Sequence, residues 1–382
     1  MRKLFWMIAL SFFAAGYNIS AQEKAPAIPD YKQEDVVVNN GDVKLAGTLT
    51  LPLTAAPAPA VIMITGSGQQ NRDEEIFGFK IFGIIADHLS KNGFAVLRLD
   101  DRGAGSSTGE FSKATDKEFN SDIITALEYL KGRNEINATQ IGLFGHSEGG
   151  LVAQMTASGR SDIAFLILMS APGIKGDSLI ISQMVWMLKQ MGTSSDEINK
   201  KLNMQKRIYS AVRTDKGWDE IKSELRPMFE EPYNKLSEAM KSKLPPKEEY
   251  INKLVDQQLA SAKTEWFKYL IDNDPSVYLS QIKIPLLILF GGKDMQVPAE
   301  ANEAAMKAAL TKAGNTSYTI KVFPAANHLY QEAVTGAPQE YPSLKKEFVP
   351  GFLDTVSEWL NKLYPGLSRI HDQRNGEIII RK

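Results

Sequence analysis

Two serines stand in the pattern Gly-x-Ser-x-Gly, one in Gly105-Ser106-Ser107-Thr108-Gly109 and one in Gly145-His146-Ser147-Glu148-Gly149. A serine in this setting can act as a nucleophile when a sharp turn exposes its Oγ and the small neighbours let the chain close tightly. Such a turn needs a strand before it and a helix after it. Residues 140–144 read as a strand leading into Ser147, and residues 150–157 read as a helix following it. Ser107 has neither: it follows Asp100-Asp101-Arg102-Gly103 and precedes Glu110-Phe111-Ser112-Lys113, where no helical pattern begins. The spacing therefore predicts Ser147 as the nucleophile and Ser107 as a loop residue.

A serine hydroxyl needs a general base, and the base needs an acid that fixes its tautomer. In the hydrolases whose Gly-x-Ser-x-Gly turn this segment resembles, the chain order is serine, acid, histidine. The chain has four histidines. His88 precedes the serine, within a helical pattern. His146 adjoins Ser147, so its side chain is expected to point elsewhere, and His371 lies in a charged tail. His328 follows the strand pattern of residues 318–323, where a base is expected, on a loop at the carboxyl end of a strand. Asp294 stands in Gly291-Gly292-Lys293-Asp294, just past the apolar run 285–290, and is placed to orient the imidazole. The tetrahedral intermediate also needs backbone N–H donors. The amide of Glu148, after the nucleophile, is one candidate. The loop Gly66-Ser67-Gly68-Gln69 offers the other, through Ser67 or Gly68, and Gly68 would let substrate approach the backbone closely.

These residues must be carried by a sheet. Residues 36–38 and 43–51 alternate about Asn39-Asn40-Gly41-Asp42, which predicts a hairpin. A Pro/Ala linker follows over 52–59. From residue 60 strands alternate with helices: strands at 61–65, 94–99, 140–144 and 163–169, helices at 81–91 and 150–157. Thr115-Asp116-Lys117-Glu118 predicts a capping box opening another helix. Fully apolar strands alternating with helices imply a mostly parallel central sheet covered on both faces, an α/β class. Residues 174–281 break this rhythm with polar helical patterns punctuated by Pro227, Pro232 and Pro245-Pro246, and read as a helical cap inserted in the sheet domain. Met184 and Met187, at helical spacing with Met191, are candidate substrate contacts there, because methionine adapts to varied apolar groups. The rhythm resumes over 282–367, with a strand at 285–290, a helix at 299–310, a strand at 318–323 and a last helix at 347–363. Residues 368–382 form a charged tail.

The first residues, Met1-Arg2-Lys3 and then an apolar run to Ala15, read as a secretory signal peptide over 1–21, cleaved after Ala21. The run is short for a bilayer span, so no stable membrane insertion is expected after cleavage, and the expected location is secreted or periplasmic. Composition is ordinary and globular, with 43% hydrophobic and 23% charged residues and a formal charge of −1, which gives no basis for nucleic-acid binding. There is no cysteine, hence no thiol nucleophile and no disulfide. No metal-ligand spacing is visible, and no cofactor is expected.

Taken together, Thr65-Gly66-Ser67-Gly68, Arg98 through Ser106, Gly145 through Gly149, Gly291 through Asp294 and Asn327-His328 resemble the α/β-hydrolase superfamily, in that order. They look most like its bacterial esterases with a helical insertion, among them the cinnamoyl and feruloyl esterase-like proteins. The resemblance covers about residues 60–365. It departs at Thr65-Gly66, where the family often has His-Gly. It implies an α/β-hydrolase fold, a structural role for the Asp100–Gly105 loop, and hydrolysis of a small-molecule or oligosaccharide carboxylic ester through an acyl-enzyme. Glu148, a charge beside the nucleophile that Arg72 or Arg102 could neutralise, is expected to brace the loops rather than to bind a polar acyl or sugar group. The rival activity is that of a small serine peptidase or aminoacyl hydrolase. Against it, only residues 22–59 precede the sheet pattern after the leader, where exopeptidases of this fold usually carry a large propeller. A non-catalytic binding protein is the reading from another class.

Overall fold

A computed structural model describes residues 31–53, 57–365 and 367. The expected leader and its cleavage site after Ala21, and the tail from 368, lie outside the described residues. The chain divides into two compact units, one of them helical and spanning Gly176–Asn273.

The sheet-bearing unit opens with β1 (Tyr31–Asn40) and β2 (Val43–Pro52), paired antiparallel with Asn40 opposite Val43. Only Gly41 and Asp42 make the turn, and Gly41 takes the left-handed φ of 58° that a two-residue hairpin turn requires. β3 (Ala58–Ile64) follows, buried at every residue. It begins inside the segment read as a Pro/Ala linker, and Ala58 N–H donates to Glu135 O. A short hairpin of β4 (Glu75–Ile76) and β5 (Phe79–Lys80), unsignalled in the sequence, leads into α1 (Ile81–Lys91) and β6 (Ala95–Leu99).

α2 (Asp116–Lys131) starts at the expected capping box: Thr115 Oγ1 accepts from the Lys117 amide and the Glu118 carboxylate accepts from the Thr115 amide. β7 (Ile136–His146), α3 (Glu148–Ala157) and β8 (Leu166–Met169) complete the first half.

The helical unit holds α4 (Gly176–Gln190), α5 (Ser195–Thr214), α6 (Trp218–Asn234), α7 (Glu238–Lys241), α8 (Lys247–Ala260) and α9 (Glu265–Asp272). Its own core gathers Ile208, Tyr209, Ile221, Phe229, Ile251 and Phe267. Met184 and Met187 lie on α4, half-buried.

The sheet-bearing unit resumes at Asp274, although the helical segment was read as continuing to 281. Asp274 caps α10 (Pro275–Leu279), whose first-turn proline starts a fresh helix, and α10 packs on α3 and on α11 (Ala299–Ala313). Between them runs β9 (Leu286–Gly291), and β10 (Tyr318–Phe323) and α12 (Phe352–Leu363) close the unit. α12 starts later than the expected 347, because Pro350 and a left-handed Gly351, φ 79°, intervene.

The eight strands run in the order β1-β2-β6-β3-β7-β8-β9-β10. β1, β2 and β6 pair antiparallel, and every pair from β6 to β10 is parallel. This is the mostly parallel, helix-flanked sheet that the strand rhythm predicts. One core cluster joins Val61, Phe82, Phe144, Ile167, Leu287 and Phe352 across the sheet and its helices. The carboxyl ends of β3, β7, β8, β9 and β10 lie side by side, so the loops leaving them meet at one edge of the sheet.

Candidate active site

Ser147 is the single residue between the end of β7 and the start of α3. Its φ of 53° and ψ of −123° are sparsely populated for a residue with a Cβ. Neighbouring strands hold it there: Ser147 N–H donates to Met169 O on β8 at 2.9 Å, and its carbonyl accepts from Gly150 at 2.9 Å. The glycines explain why the turn can close. A Cβ on Gly149 would lie 2.2 Å from Ile64 O, and one on Gly145 would lie 2.3 Å from Gly149 O. A Cβ on Gly150 would lie 2.3 Å from the Ala171 methyl. Strand, turn and helix therefore approach at distances no larger residue permits.

Asp294 and His328 come together from the loops after β9 and β10, 34 positions apart, with Asp294 Oδ2 2.8 Å from His328 Nδ1. The second carboxylate oxygen, Oδ1, accepts from the amides of Gln296 (2.8 Å) and Val297 (2.9 Å). Burial alone would push the Asp294 carboxyl up, but the His328 imidazole and these amides outweigh it and hold it below the usual range. The His328 loop is shaped by Asn327, whose Oδ1 accepts from the amides of Leu329 and Gln331, both at 2.9 Å. Ser170, just past β8, also hydrogen-bonds Asp294, and its Oγ lies 3.3 Å from the Tyr330 hydroxyl. Burial pushes the Tyr330 phenol well up, so it stays a proton donor. Ser170 and Tyr330 both take positive φ, 47° and 60°.

The loop after β3 carries the second set. Gly66 stands so close to the nucleophile that a Cβ there would lie 3.2 Å from Ser147 Cβ. Its amide donates to Glu74 Oε1 at 2.7 Å. Ser67 and Gly68 follow, half-buried, with Gly68 at φ 89° and Gln70 Nε2 donating to Ser67 O at 3.3 Å. Asp101 fixes the loop from below, accepting from Thr65 Oγ1 (2.6 Å) and the Gln70 amide (2.8 Å). Burial, reinforced by Glu74 and Glu148, pushes the Asp101 carboxyl up to about 8. A cavity of about 50 Å³, room for a few waters, adjoins this loop and is lined by Thr65, Gly66, Asp101, Phe119, Glu148 and Val152.

Arg72 and Arg102, the expected partners of Glu148, each pair with another carboxylate. Arg72 forks onto Asp100, with Nε 3.1 Å from Oδ1 and Nη2 2.8 Å from Oδ2, and reaches Asp35. Arg102 pairs with Asp122, Nε to Oδ2 at 2.5 Å. Each guanidinium is engaged by a carboxylate through two nitrogens, the planar pairing that suits arginine.

Ser107 lies in the loop after β6, as expected. Its Oγ donates to Asp100 O (2.8 Å) and accepts from the Ala46 amide (2.9 Å). His146 does point away from Ser147, but into the site's framework: its Nδ1 is 2.7 Å from Glu74 Oε1 and its Nε2 is 3.0 Å from His328 O. Glu74 and Ser170 carried no sequence signal. Ser170 is a polar residue just past β8 and Glu74 is a loop residue just before β4, positions common to many polar residues. Among the described residues, no group of three or more His, Cys, Asp or Glu side chains is arranged to hold a metal ion.

The comparisons agree with this architecture. The sequence profile of Hydrolase_4, described as serine aminopeptidase, S33, matches residues 79–332. The chain is 26% identical over 343 residues to esterase EstD of Thermotoga maritima, covering 88% of this chain and 70% of that protein. It is 29% identical over 136 residues to the putative hydrolase YtaP of Bacillus subtilis, which covers 31% of this chain and 46% of that one. Among solved structures, the Pyrococcus furiosus esterase Pf2001 shares the fold, with a TM-score of 0.53 and 20% identity over 87% of this chain and 91% of that one. A strained serine between β7 and α3, a buried acid–histidine pair past β9 and β10, and a profile spanning most of the sheet-bearing unit lead to one statement: the chain belongs to the Hydrolase_4 family of α/β-hydrolases.

Proposed function

We propose that this protein hydrolyses carboxylic esters through an acyl-enzyme, with Ser147 as nucleophile, His328 as general base and Asp294 as the acid that orients it. The observation that carries the proposal is the buried Asp294–His328 bond of 2.8 Å in a fold whose β7–α3 turn residue, Ser147, takes a positive φ. In this reading His328 Nε2 takes the Ser147 proton as Oγ attacks the ester carbonyl, and the ionised Asp294 stabilises the imidazolium. The same proton then passes to the leaving alcohol. Water, deprotonated by His328, releases the acid and restores the serine.

The amides of Glu148 and Ser67 are proposed to hold the oxyanion. Gly66 N–H already donates to Glu74, so Ser67 is the next amide along that loop able to face the nucleophile. An ester substrate is supported by the kinship with EstD, a protein named as an esterase. The family's description names aminopeptidases instead, and this is the observation that favours the second reading, a serine peptidase or aminoacyl hydrolase.

Parallel assays with p-nitrophenyl acetate and butyrate and with aminoacyl p-nitroanilides separate the two. Faster turnover of the esters, abolished in Ser147→Ala, is expected. Anilide turnover exceeding ester turnover would establish the peptidase reading, and undiminished ester hydrolysis in Ser147→Ala would overturn the nucleophile. We also infer export, from the basic start and apolar run of residues 1–21. N-terminal sequencing of the protein recovered from a secreting host is expected to begin at Gln22, and retention of Met1 would refute it.

A further inference from the structure

We propose that Glu74 and His146 are positioning residues: a buried carboxylate–imidazolium pair that ties the Gly66 turn to the backbone of His328 and so holds the base in register with the nucleophile. This rests on the assignment of Ser147 and His328 made above.

The geometry dictates the protons. His146 and Glu74 are each only 1% exposed. His146 Nε2 faces the His328 carbonyl at 3.0 Å, and a carbonyl oxygen can only accept, so Nε2 carries a hydrogen. His146 Nδ1 faces Glu74 Oε1 at 2.7 Å, and the same oxygen accepts from Gly66 N–H at 2.7 Å. An oxygen receiving two donors is best an ionised carboxylate, which places a hydrogen on Nδ1 as well. Beside an ionised Glu74, a neutral imidazole has one N–H and would leave a lone pair facing one of these acceptors. Among the described residues Glu74 Oε2 has no hydrogen-bond partner. His146 is thus the cation that offsets the buried charge. Burial alone would lower the His146 pKa, and the Glu74 carboxylate outweighs it and raises it.

The pair touches three parts of the site. Gly66 is on the loop proposed to hold the oxyanion, His146 precedes Ser147 in the chain, and His328 O belongs to the base itself. The two imidazole rings lie 4.8 Å apart, centroid to centroid. Glu74 is held in a strained conformation, φ 45°, with its amide donating to Asn71 O at 2.9 Å, as residues kept for a site often are. The titratable groups facing the pair are His328 and Asp294, from the loops after β10 and β9, and Asp101 from the loop after β6.

The sign of the pH dependence follows. The tie to His328 O is complete while His146 holds both protons and is lost as pH rises through its raised pKa. Replacing Glu74 by Gln removes the charge that raises it, so the alkaline fall in kcat moves to lower pH. Loss of register alone is expected to lower kcat about 10- to 100-fold with KM changed no more than about two-fold. A merely structural pair would lower the melting temperature and leave the pH profile where it was.

The test uses the full chain labelled with 15N in its histidine rings, with His146→Gln to assign the resonance. Two protonated ring nitrogens on His146 at pH 7, one of them lost in Glu74→Gln together with the kcat fall and the displaced alkaline limb, are the expected results. A bare Nδ1 or a bare Nε2 in the wild type overturns the proposal, as does a Glu74→Gln enzyme with unchanged kcat and alkaline limb. The wild-type spectrum decides the protonation even where Glu74→Gln does not fold. Failure of the nucleophile assignment shows separately, as Ser147→Ala that still hydrolyses esters or a wild type that a fluorophosphonate never labels.

Discussion

The loops around Ser107 and Ser147 share a five-residue pattern and solve it in opposite ways. At Ser107 the flanking glycines take the left-handed backbone, Gly105 at φ 51° and Gly109 at φ 97°. At Ser147 the serine itself takes it, at φ 53°, while Gly145 and Gly149 serve close packing. The Ser107 hydroxyl bridges Asp100 O and Ala46 N–H and so fastens the loop to β2. In one loop the strain falls on glycines, which bear it at no steric cost. In the other it falls on a residue with a Cβ, held there because the fold over-determines the turn. The pattern marks tight turns in general, and where the strain sits distinguishes a brace from a candidate nucleophile.

The contrast breaks most directly by alanine at each serine. Ser147→Ala is expected to lower kcat for p-nitrophenyl esters by about 10⁴-fold or more while the melting curve stays near wild type. Ser107→Ala is expected to keep activity within a few-fold and to lose about 1–3 kcal/mol in urea unfolding, because it leaves a buried amide and carbonyl unpaired. A reversal of those two outcomes would exchange the roles of the loops.

Asp294→Asn tests whether the strained serine depends on the distant acid. An amide can hold His328 in the wrong tautomer, and a fall in kcat of about 10³- to 10⁴-fold is expected with KM little changed. A smaller loss than ten-fold would detach Asp294 from the chemistry.

Close packing at the Ser147 turn is probed by Gly149→Ala. Its Cβ would meet the Ile64 carbonyl at 2.2 Å, a backbone atom within β3, so a loss of about 3 kcal/mol or more is expected by chemical denaturation. Near-native stability would mean that the turn can relax.

The loop carrying Ser107 also carries Asp101, which accepts from Thr65 and Gln70 on the loop after β3. Its carboxyl is raised from the ordinary 3.8 to about 8 in the folded protein. Folding therefore takes up a proton, and stability is expected to decline as pH rises from about 4 to about 8. Asp101→Asn has no such proton to lose and should show a flatter dependence of melting temperature on pH over that window. Parallel curves for the two proteins would remove Asp101 as the source.

The smallest effect is expected of Thr115→Ala. Losing the capping box at α2 should reduce stability by about 1 kcal/mol and leave kcat unchanged. A change in kcat would show that the loop ending there takes part in the chemistry after all.

Much of this was legible in residue order. The 3.6- and 2-residue periods, the Asn-Gly turn and the Thr115–Glu118 box are set by neighbours in the chain, so strands β3, β6, β7, β9 and β10 and helices α1, α2, α3 and α11 could be read from short windows. The strand before Ser147 and the helix after it separated that serine from Ser107, and chain order then pointed to Asp294 and His328. The structure brings those last two into contact. The short β4–β5 hairpin was not legible, because two-residue strands carry no period. The late start of α12 was missed because apolar spacing continues through Pro350 and Gly351, where the backbone cannot.

Sequence alone determined the class of fold, the alternation of its longer strands and helices, and the positions able to supply a serine, an acid and a base, since each depends on local propensity and pattern. Only the tertiary structure decided which polar groups face one another. Glu74 and His146 are 72 residues apart, Arg72 turns to Asp100 and Arg102 to Asp122, and Gly66 gives its amide to Glu74. Such pairings depend on where separate loops cross at the sheet's edge. Side-chain reach and burial set them there, and neither leaves a period in the chain.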